Sequence, residues 1–216
     1  MNISRKIDVG LGKFETLIQD GKFREAAKLC NSAIGSGRDL MFWKTQLAYI
    51  SFLNDEDDEA RYITAPVLFT SLIEANPTDA SCHFWLGYST YILFNDKETA
   101  KSHIFKAKII DPKFFYCDLV LAGFSETPRD KRLEYLENVL EQEPNLYSGL
   151  IEVSEALIEL GQIERAKRRL TTLLNSPPYI EKTYGIMNDY INEVLTGAYY
   201  ENNLKHKAEM LINSLS

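Results

Sequence analysis

Four prolines recur along this chain at nearly constant spacing, and each follows a helix-like segment. Pro77, Pro112, Pro144 and Pro178 are separated by intervals of 35, 32 and 34 residues. Proline ends a helix because its ring clashes with the preceding turn and because it lacks an N–H group. A unit that recurs at this spacing predicts stacked repeats, in which each unit buries its apolar side only against its neighbours.

The residues that precede each proline repeat as well. Twelve residues before the prolines lie Ala65, Ala100, Arg132 and Ala166. Eight residues before them lie Phe69, Ile104, Leu136 and Leu170. Five residues before them lie Leu72, Ala107, Val139 and Leu173. These spacings place the three positions of each repeat on one helical face. A small residue at the first position lets two helices approach closely, and Arg132 is the exception. The same pattern opens the chain without a proline, at Ala26, Cys30 and Ala33.

Two repeats carry the fullest form of a known motif. In the third repeat Trp85-Leu86-Gly87-Tyr88 precedes Ala100, Ala107 and Pro112, and the fifth has Leu150, Val153, Leu157, Gly161, Ala166, Leu170 and Pro178. In this order the sequence resembles the tetratricopeptide repeat (TPR), a helix-turn-helix of about 34 residues. The resemblance covers roughly residues 7–216 and implies a right-handed α-solenoid of antiparallel helix hairpins, with about five to six repeats. The segment 54–63 departs from the motif, because it is about six residues too long.

The sequence therefore predicts an all-α protein. We expect one solenoid domain over residues 1–216, with an irregular C-terminal capping unit from about residue 180. Helix pairs are expected at 7–19 and 22–36, 40–53 and 64–76, 79–94 and 97–111, 113–124 and 129–143, 146–160 and 163–176, and 182–200 and 204–215. Asp79 and Asp96 are placed to begin helices. The adjacent Pro177 and Pro178 interrupt the series.

Composition excludes several classes of protein. The 24 basic and 31 acidic residues give a net charge of −7, which argues against nucleic-acid binding, since phosphate contacts need Lys and Arg. The longest apolar run, 119–124, is far too short to cross a membrane. No secretory signal is expected at the start of the chain. The three cysteines, Cys30, Cys82 and Cys117, are interpreted as buried free thiols in a reducing cytoplasm.

No motif indicates catalysis, a cofactor or a metal. The three histidines His83, His103 and His206 are scattered and have no metal-ligand spacing. The acidic run 54–59 does not fit a calcium loop, because counting from Asp55 the sixth residue is Ala60 rather than Gly. We interpret this run as a solvated loop, although it could also capture a basic segment of a partner. The basic cluster 165–169 is interpreted as a solvated helix face.

The resemblance to TPR proteins also implies a binding surface, since the first helix of each pair lines the concave face in that family. The inward positions expected to bind a peptide are Phe84, Tyr88, Tyr91, Phe114, Cys117, Leu121, Phe124, Ile151 and Glu155. In the second repeat the corresponding positions are Met41, Lys44 and Ala48. Packing between repeats is the alternative role for each of these side chains. The basic clamp for a C-terminal carboxylate, known in chaperone cofactors of the family, is not visible.

Three hypotheses about function follow. The leading one is a non-catalytic cytoplasmic adaptor that holds a peptide or amphipathic helix of a partner protein, with Tyr88, Tyr91, Phe114 and Leu121 as apolar anchors. The second is a dedicated secretion-type chaperone or neutralising protein for one cognate client. The third is a structural homo-oligomer, a homodimer in which Tyr199, Tyr200, Leu204 and Leu211 form the seam.

Overall fold

The structure is a computed structural model that describes residues 12–14, 16–18, 20–37, 39–54, 56–176 and 198–215, with side chains from Leu204 onward in the last helix. Every regular element among these residues is helical. The helices in the first half are α1 (Phe23–Gly35), α2 (Leu40–Leu53), α3 (Ala65–Ala75), α4 (Ala80–Phe94) and α5 (Lys97–Ile110). Those in the second half are α6 (Tyr116–Gly123), α7 (Arg129–Gln142), α8 (Tyr147–Glu159), α9 (Ile163–Asn175) and α10 (Ala198–Ser214).

The chain divides into two compact units, and the division falls between Ile110 and Asp111. In unit 1 each of α1 to α4 packs against the helix that follows it, and a π-helical turn at Ala60–Thr64 leads into α3. In unit 2 the same holds for α6 to α9, and α10 also contacts α8. Within each unit the chain therefore forms helix hairpins that pack against their sequence neighbours.

The repeated stripe of the sequence is the buried face of the second helix of each hairpin. Ala65, Ala100 and Ala166 are fully buried, as the close approach of two helices requires. The apolar residues at the other two positions of each repeat are at most 1% exposed. Examples are Phe69 and Leu72 in α3 and Leu170 and Leu173 in α9. Burial of such side chains stabilises the folded chain by about 1.5–3 kcal/mol each.

Helix ends follow the local signals of the sequence. The carboxylate of Asp79 accepts a hydrogen bond from the backbone N–H of Cys82 at 3.0 Å, and that of Asp96 accepts one from Thr99 at 3.1 Å. Asn95 adopts a left-handed conformation, with φ of 53°, and ends α4. This conformation reverses the chain in a short turn before α5 begins.

The structure corrects three boundaries. The predicted helix at 113–124 begins only at Tyr116, because 112–115 form a turn in which the backbone N–H of Phe114 bonds to the carbonyl of Asp111. The helix predicted at 64–76 extends back to residue 58 through the π-turn, so the acidic run is not a loop throughout. The third boundary is that of the last helix, which was predicted at 204–215 and already begins at Ala198. The helix predicted at 182–200 and the Pro177–Pro178 break lie mostly outside the described residues.

Arg132, the exception in the repeated pattern, links two helices by ion pairs. Its guanidinium group donates to Glu152 at 2.8 Å and to Glu159 at 3.2 Å, both on α8. The basic cluster on α9 forms comparable pairs, since Arg165 and Arg169 both contact Glu137 of α7. Ion pairs thus link α7 both to α8 and to α9.

Candidate protein-binding surface

Five aromatic side chains of α2 and α4 contact one another in unit 1, and we call them the aromatic cluster: Tyr49, Phe52, Phe84, Trp85 and Tyr88. Trp85 lies at the centre, with its ring 4.6 Å from that of Tyr49 and 5.3 Å from that of Phe84. The rings of Phe84 and Tyr88 are stacked at 5.9 Å, and Tyr88 meets Phe52 edge-on at 6.0 Å. These contacts join the first helices of two successive repeats by geometries that aromatic pairs favour.

The sequence of α4 explains how one helix serves two neighbours. Residues 82–87 are buried without interruption, so α4 has apolar contacts on more than one side. Gly87 faces α5, where the carbonyl oxygen of Ala100 lies 2.9 Å from the position that a Cβ atom would occupy. The close approach of α5 at this point leaves the opposite side of α4 for the rings of α2.

Two tyrosines of α4 retain partial exposure beside the aromatic cluster. Tyr88 and Tyr91 are both half-buried and are three residues apart on the helix. Burial raises the pKa of the Tyr88 hydroxyl, and the neighbouring Tyr91 adds to this shift, so Tyr88 stays neutral at physiological pH. The indole N–H of Trp85 is buried and has no hydrogen-bond partner among the described residues. The candidate surface therefore has two partly exposed tyrosine rings beside buried aromatic rings, and one of these buried rings, that of Trp85, has an N–H group without an acceptor among the described residues.

Most of the other expected peptide-binding residues are buried. Phe84 is 5% exposed and forms the base of the cluster. In unit 2 the expected residues Phe114, Cys117, Leu121 and Phe124 are each at most 2% exposed. Their role in binding a partner stays a prediction.

The last two expected residues lie on α8 of unit 2. Ile151 belongs to the core cluster that also contains Ala208 of α10. Glu155 is half-buried, and its carboxylate forms an ion pair with the ammonium group of Lys207, also on α10, at 2.8 Å. In this structure α10 thus packs against the side of α8 where the sequence predicted that Ile151 and Glu155 would bind a partner peptide. That assignment also stays a prediction.

The sequence did not single out Tyr49, Phe52 and Trp85 as members of this surface. In the second repeat it pointed instead to Met41, Lys44 and Ala48, of which Ala48 is fully buried. The signal that could have found the cluster is the pair of aromatic residues three positions apart, Tyr49 and Phe52, since such residues are neighbours on a helix.

Two histidines form a polar contact between α4 and α5. His83 Nε2 lies 3.2 Å from the carbonyl oxygen of Pro77, which can only accept, so this nitrogen carries the proton. His83 Nδ1 then accepts from His103 Nδ1 at 3.1 Å when both rings are neutral. The pKa of His103 is lowered by burial, by His83 and by Lys106. The arrangement links two helices.

The described part of the chain gives no sign of a metal site or a membrane span. No three His, Cys, Asp or Glu side chains come together there in a way that could hold a metal ion. None of the helices among these residues is long and apolar enough to span a membrane. Cys30, Cys82 and Cys117 are free and buried. Burial raises the pKa of Cys30 to about 12, and burial together with the Asp79 carboxylate does the same for Cys82.

Comparison with protein families and curated proteins gives no match: no family model matches the sequence, and neither does any curated protein.

Solved structures, in contrast, match the fold over most of the chain. TTC0263, a thermophilic TPR protein of Thermus thermophilus, is 17% identical with a TM-score of 0.62, and the match covers 94% of this chain and 98% of that one. Two crystal structures of MamA are 14% and 15% identical with TM-scores of 0.55 and 0.56, and they cover 80% and 81% of this chain and 92% and 94% of their own. Identities this low establish the fold alone. The protein therefore has the TPR fold, an all-α solenoid of helix hairpins, as its repeats predict.

Proposed function

We propose that the protein is a non-catalytic scaffold or adaptor, which holds a peptide or helix of a partner protein against the α2–α4 face of unit 1. The single observation that carries the proposal is the partial exposure of Tyr88 and Tyr91 beside the aromatic cluster. Proteins with this fold present the first helix of each hairpin along one side, and α2 and α4 are both first helices. The three buried free cysteines are consistent with a reducing compartment such as the cytoplasm.

The chemistry of the surface suits an apolar side chain of a partner. Tyrosine and tryptophan are enriched at the centres of interfaces, because they contribute large contact areas with few rotatable bonds. A buried N–H group without an acceptor costs about 1–3 kcal/mol. An acceptor group of a bound segment that reached the Trp85 indole N–H would supply its missing hydrogen bond. Partner binding would then relieve a cost present in the free protein.

The test begins with affinity capture of the tagged protein from its source cells, followed by mass spectrometry to identify what binds. The affinity of the captured protein is then measured for the wild type and for a Tyr88→Ala/Tyr91→Ala variant. We expect the double variant to bind at least about tenfold more weakly, a loss of about 1.4 kcal/mol. Phe105→Ala is the matched control, since Phe105 is an exposed aromatic residue on α5 of the same unit.

Two readouts make this test decisive. Far-UV circular dichroism and thermal unfolding must show that both variants are folded. A folded double variant that binds the partner as tightly as the wild type overturns the proposal. Leu121, an anchor expected from the sequence, is unsuitable for a first test, because Leu121→Glu would place a charge in the core of unit 2.

The two narrower hypotheses make different predictions. A dedicated chaperone or neutralising protein would co-purify with one client in a fixed ratio, whereas an adaptor would retain several proteins. A homodimer through the C-terminal unit would need Leu204 and Leu211, and both pack against the core of unit 2. Both are only half-buried there, so their exposed parts would have to form the seam. Light scattering that shows a monomer at high concentration would argue against it.

A further inference from the structure

The connection between α2 and α3 is longer than the repeat needs. In unit 1 α5 begins three residues after α4 ends, whereas α3 begins twelve residues after the end of α2 at Leu53. Residues 58 and 59 are already helical, and the π-turn Ala60–Thr64 continues this helix into α3. The extra length therefore forms an additional helical turn.

This additional turn is fixed to the rest of unit 1. The carboxylate of Asp57 accepts a hydrogen bond from the backbone N–H of Ala60 at 3.0 Å. The backbone carbonyl of Asp57 accepts another from the backbone N–H of Arg61 at 2.9 Å. Arg24 of α1 donates to the carbonyl of Glu56 at 3.4 Å. The π-turn itself contacts both α2 and α3. Side chains on this turn are therefore presented in a defined orientation.

Four large apolar side chains on and beside this turn are exposed, and we call them the Tyr62 patch: Tyr62, Ile63, Val67 and Phe94. Ile63 is 60% exposed and Val67 is 61% exposed, and they are four residues apart on the same helix. The ring of Tyr62 meets that of Phe94, the last residue of α4, edge-on at 5.9 Å. The patch thus combines two helices of unit 1. Contiguous exposed apolar side chains of this kind mark interaction sites.

Carboxylates border the patch at one end. Asp58 precedes Tyr62 by four residues and Glu59 precedes Ile63 by four, so each carboxylate lies about one turn from an exposed apolar side chain. Both are exposed, and neither forms an ion pair with another described residue. Arg61 is the basic residue closest in sequence, and its Nε atom is buried without a hydrogen-bond partner in the described part of the chain. Glu56, Asp57, Asp58 and Glu59 outnumber Arg61, so the net charge at this end is negative.

We propose that the Tyr62 patch is a second docking surface, which binds a basic amphipathic segment of another protein. The occupant follows from charge complementarity. A partner helix with an apolar stripe would cover Ile63 and Val67, while Lys or Arg side chains beside that stripe would pair with Asp58 and Glu59. An acidic segment would meet like charges at the same end. This proposal goes beyond the α2–α4 face, since it uses different residues.

The probe for this surface is a fluorescent amphipathic peptide of about 18 residues with a Leu stripe and Lys elsewhere, long enough for five helical turns. A second peptide has Glu at every Lys position. Fluorescence anisotropy with the full chain should show that the basic peptide binds and that the acidic one binds at least about tenfold more weakly. Added salt should weaken the binding of the basic peptide.

Matched variants locate the binding. The double variant Ile63→Ser/Val67→Ser should bind the basic peptide at least about tenfold more weakly than the wild type does. Phe105→Ser/Ile109→Ser is the control, because these residues form an exposed apolar pair four residues apart on α5, where the position four residues earlier is Lys101 rather than a carboxylate. Asp58→Lys/Glu59→Lys should reverse the preference between the two peptides. Circular dichroism confirms that each variant is folded.

Several outcomes would overturn the proposal. Equal binding of both peptides, or equal losses in the Ile63/Val67 variant and its control, would show that the patch does not select a basic segment. Loss of binding only in the Tyr88/Tyr91 variant would place the peptide on the α2–α4 face instead. A dimer seen by light scattering and abolished by Ile63→Ser/Val67→Ser would show that a second copy of this chain covers the patch.

Discussion

Gly87 sets the distance between α4 and α5. A Cβ atom there would lie 2.9 Å from the carbonyl oxygen of Ala100 and 3.1 Å from side-chain atoms of His103 and Ile104. Because a backbone oxygen cannot move aside as a flexible side chain can, Gly87→Ala should lower the free energy of unfolding by about 1–3 kcal/mol. Urea denaturation followed by circular dichroism measures this change.

Gly35→Ala is the control for that measurement. Gly35 is helical and nothing lies within 4 Å of its added Cβ atom, so the change should be neutral or stabilising by up to about 1 kcal/mol. Equal stability of Gly87→Ala and the wild type would show that α4 and α5 can separate without cost.

His103 should make stability depend on pH. Its pKa is lowered from the ordinary 6.5, first by burial and then by the charges of His83 and Lys106. Below 6.5 the unfolded chain binds the proton more readily than the folded chain does. The free energy of unfolding should therefore be highest above 6.5 and should fall as the pH drops through the folded pKa.

His103→Gln should flatten this dependence, as measured by urea denaturation at neutral and mildly acidic pH. His206→Gln is the control, because His206 is 72% exposed on α10. Identical pH dependence in the wild type and the His103 variant would contradict the assignment.

At the scale of helices, Arg132 should contribute to the contact between α7 and α8. Arg132→Ala removes the pairs with Glu152 and Glu159, and we expect a loss of about 1 kcal/mol in the free energy of unfolding at low salt. The loss should shrink at high salt, since these groups are partly exposed. Lys131→Ala breaks only an exposed pair with Glu134 within α7 and should cost less than about 0.5 kcal/mol. A salt-independent loss, or equal losses in both variants, would contradict this role.

The helices themselves could be predicted from the sequence, because the second helix of each hairpin is apolar on one side only. Phe69 and Leu72 show this, and the structure buries both. The aromatic cluster could be predicted only in part. The resemblance to TPR proteins pointed to Phe84 and Tyr88, but not to the buried rings of Tyr49, Phe52 and Trp85 that contact them. Helix α4 is buried without interruption over residues 82–87, so its periodicity does not indicate which side faces a neighbour. The π-turn also escaped prediction, since it depends on contacts with α2 and α3 rather than on local sequence.

At the scale of the whole molecule, the three cysteines report on the opening of each unit. Cys30 and Cys82 lie in unit 1 and Cys117 lies in unit 2, and all three are at most 1% exposed. None should react with iodoacetamide in the native protein at pH 8, because each thiol is buried and the pKa of Cys30 and Cys82 is about 12.

Labelling in increasing urea, with each cysteine quantified by mass spectrometry, should give Cys30 and Cys82 one common midpoint. Cys117 should follow the opening of its own unit. Separate midpoints for Cys30 and Cys82 would show that unit 1 does not open cooperatively.

The π-turn Ala60–Thr64 makes the Tyr62 patch tolerant of the loss of one residue. Its backbone closes a wider ring than an α-helix does, with the N–H of Ala65 bonded to the carbonyl of Ala60. Deletion of Thr64 would let ordinary α-helical bonding run through from residue 58. Each residue of an α-helix turns the chain by about 100°. Since the wider π-turn already takes up about one residue, the carboxylates of Asp58 and Glu59 should keep their direction relative to Val67 after this deletion, and the charged and apolar parts of the patch should stay together.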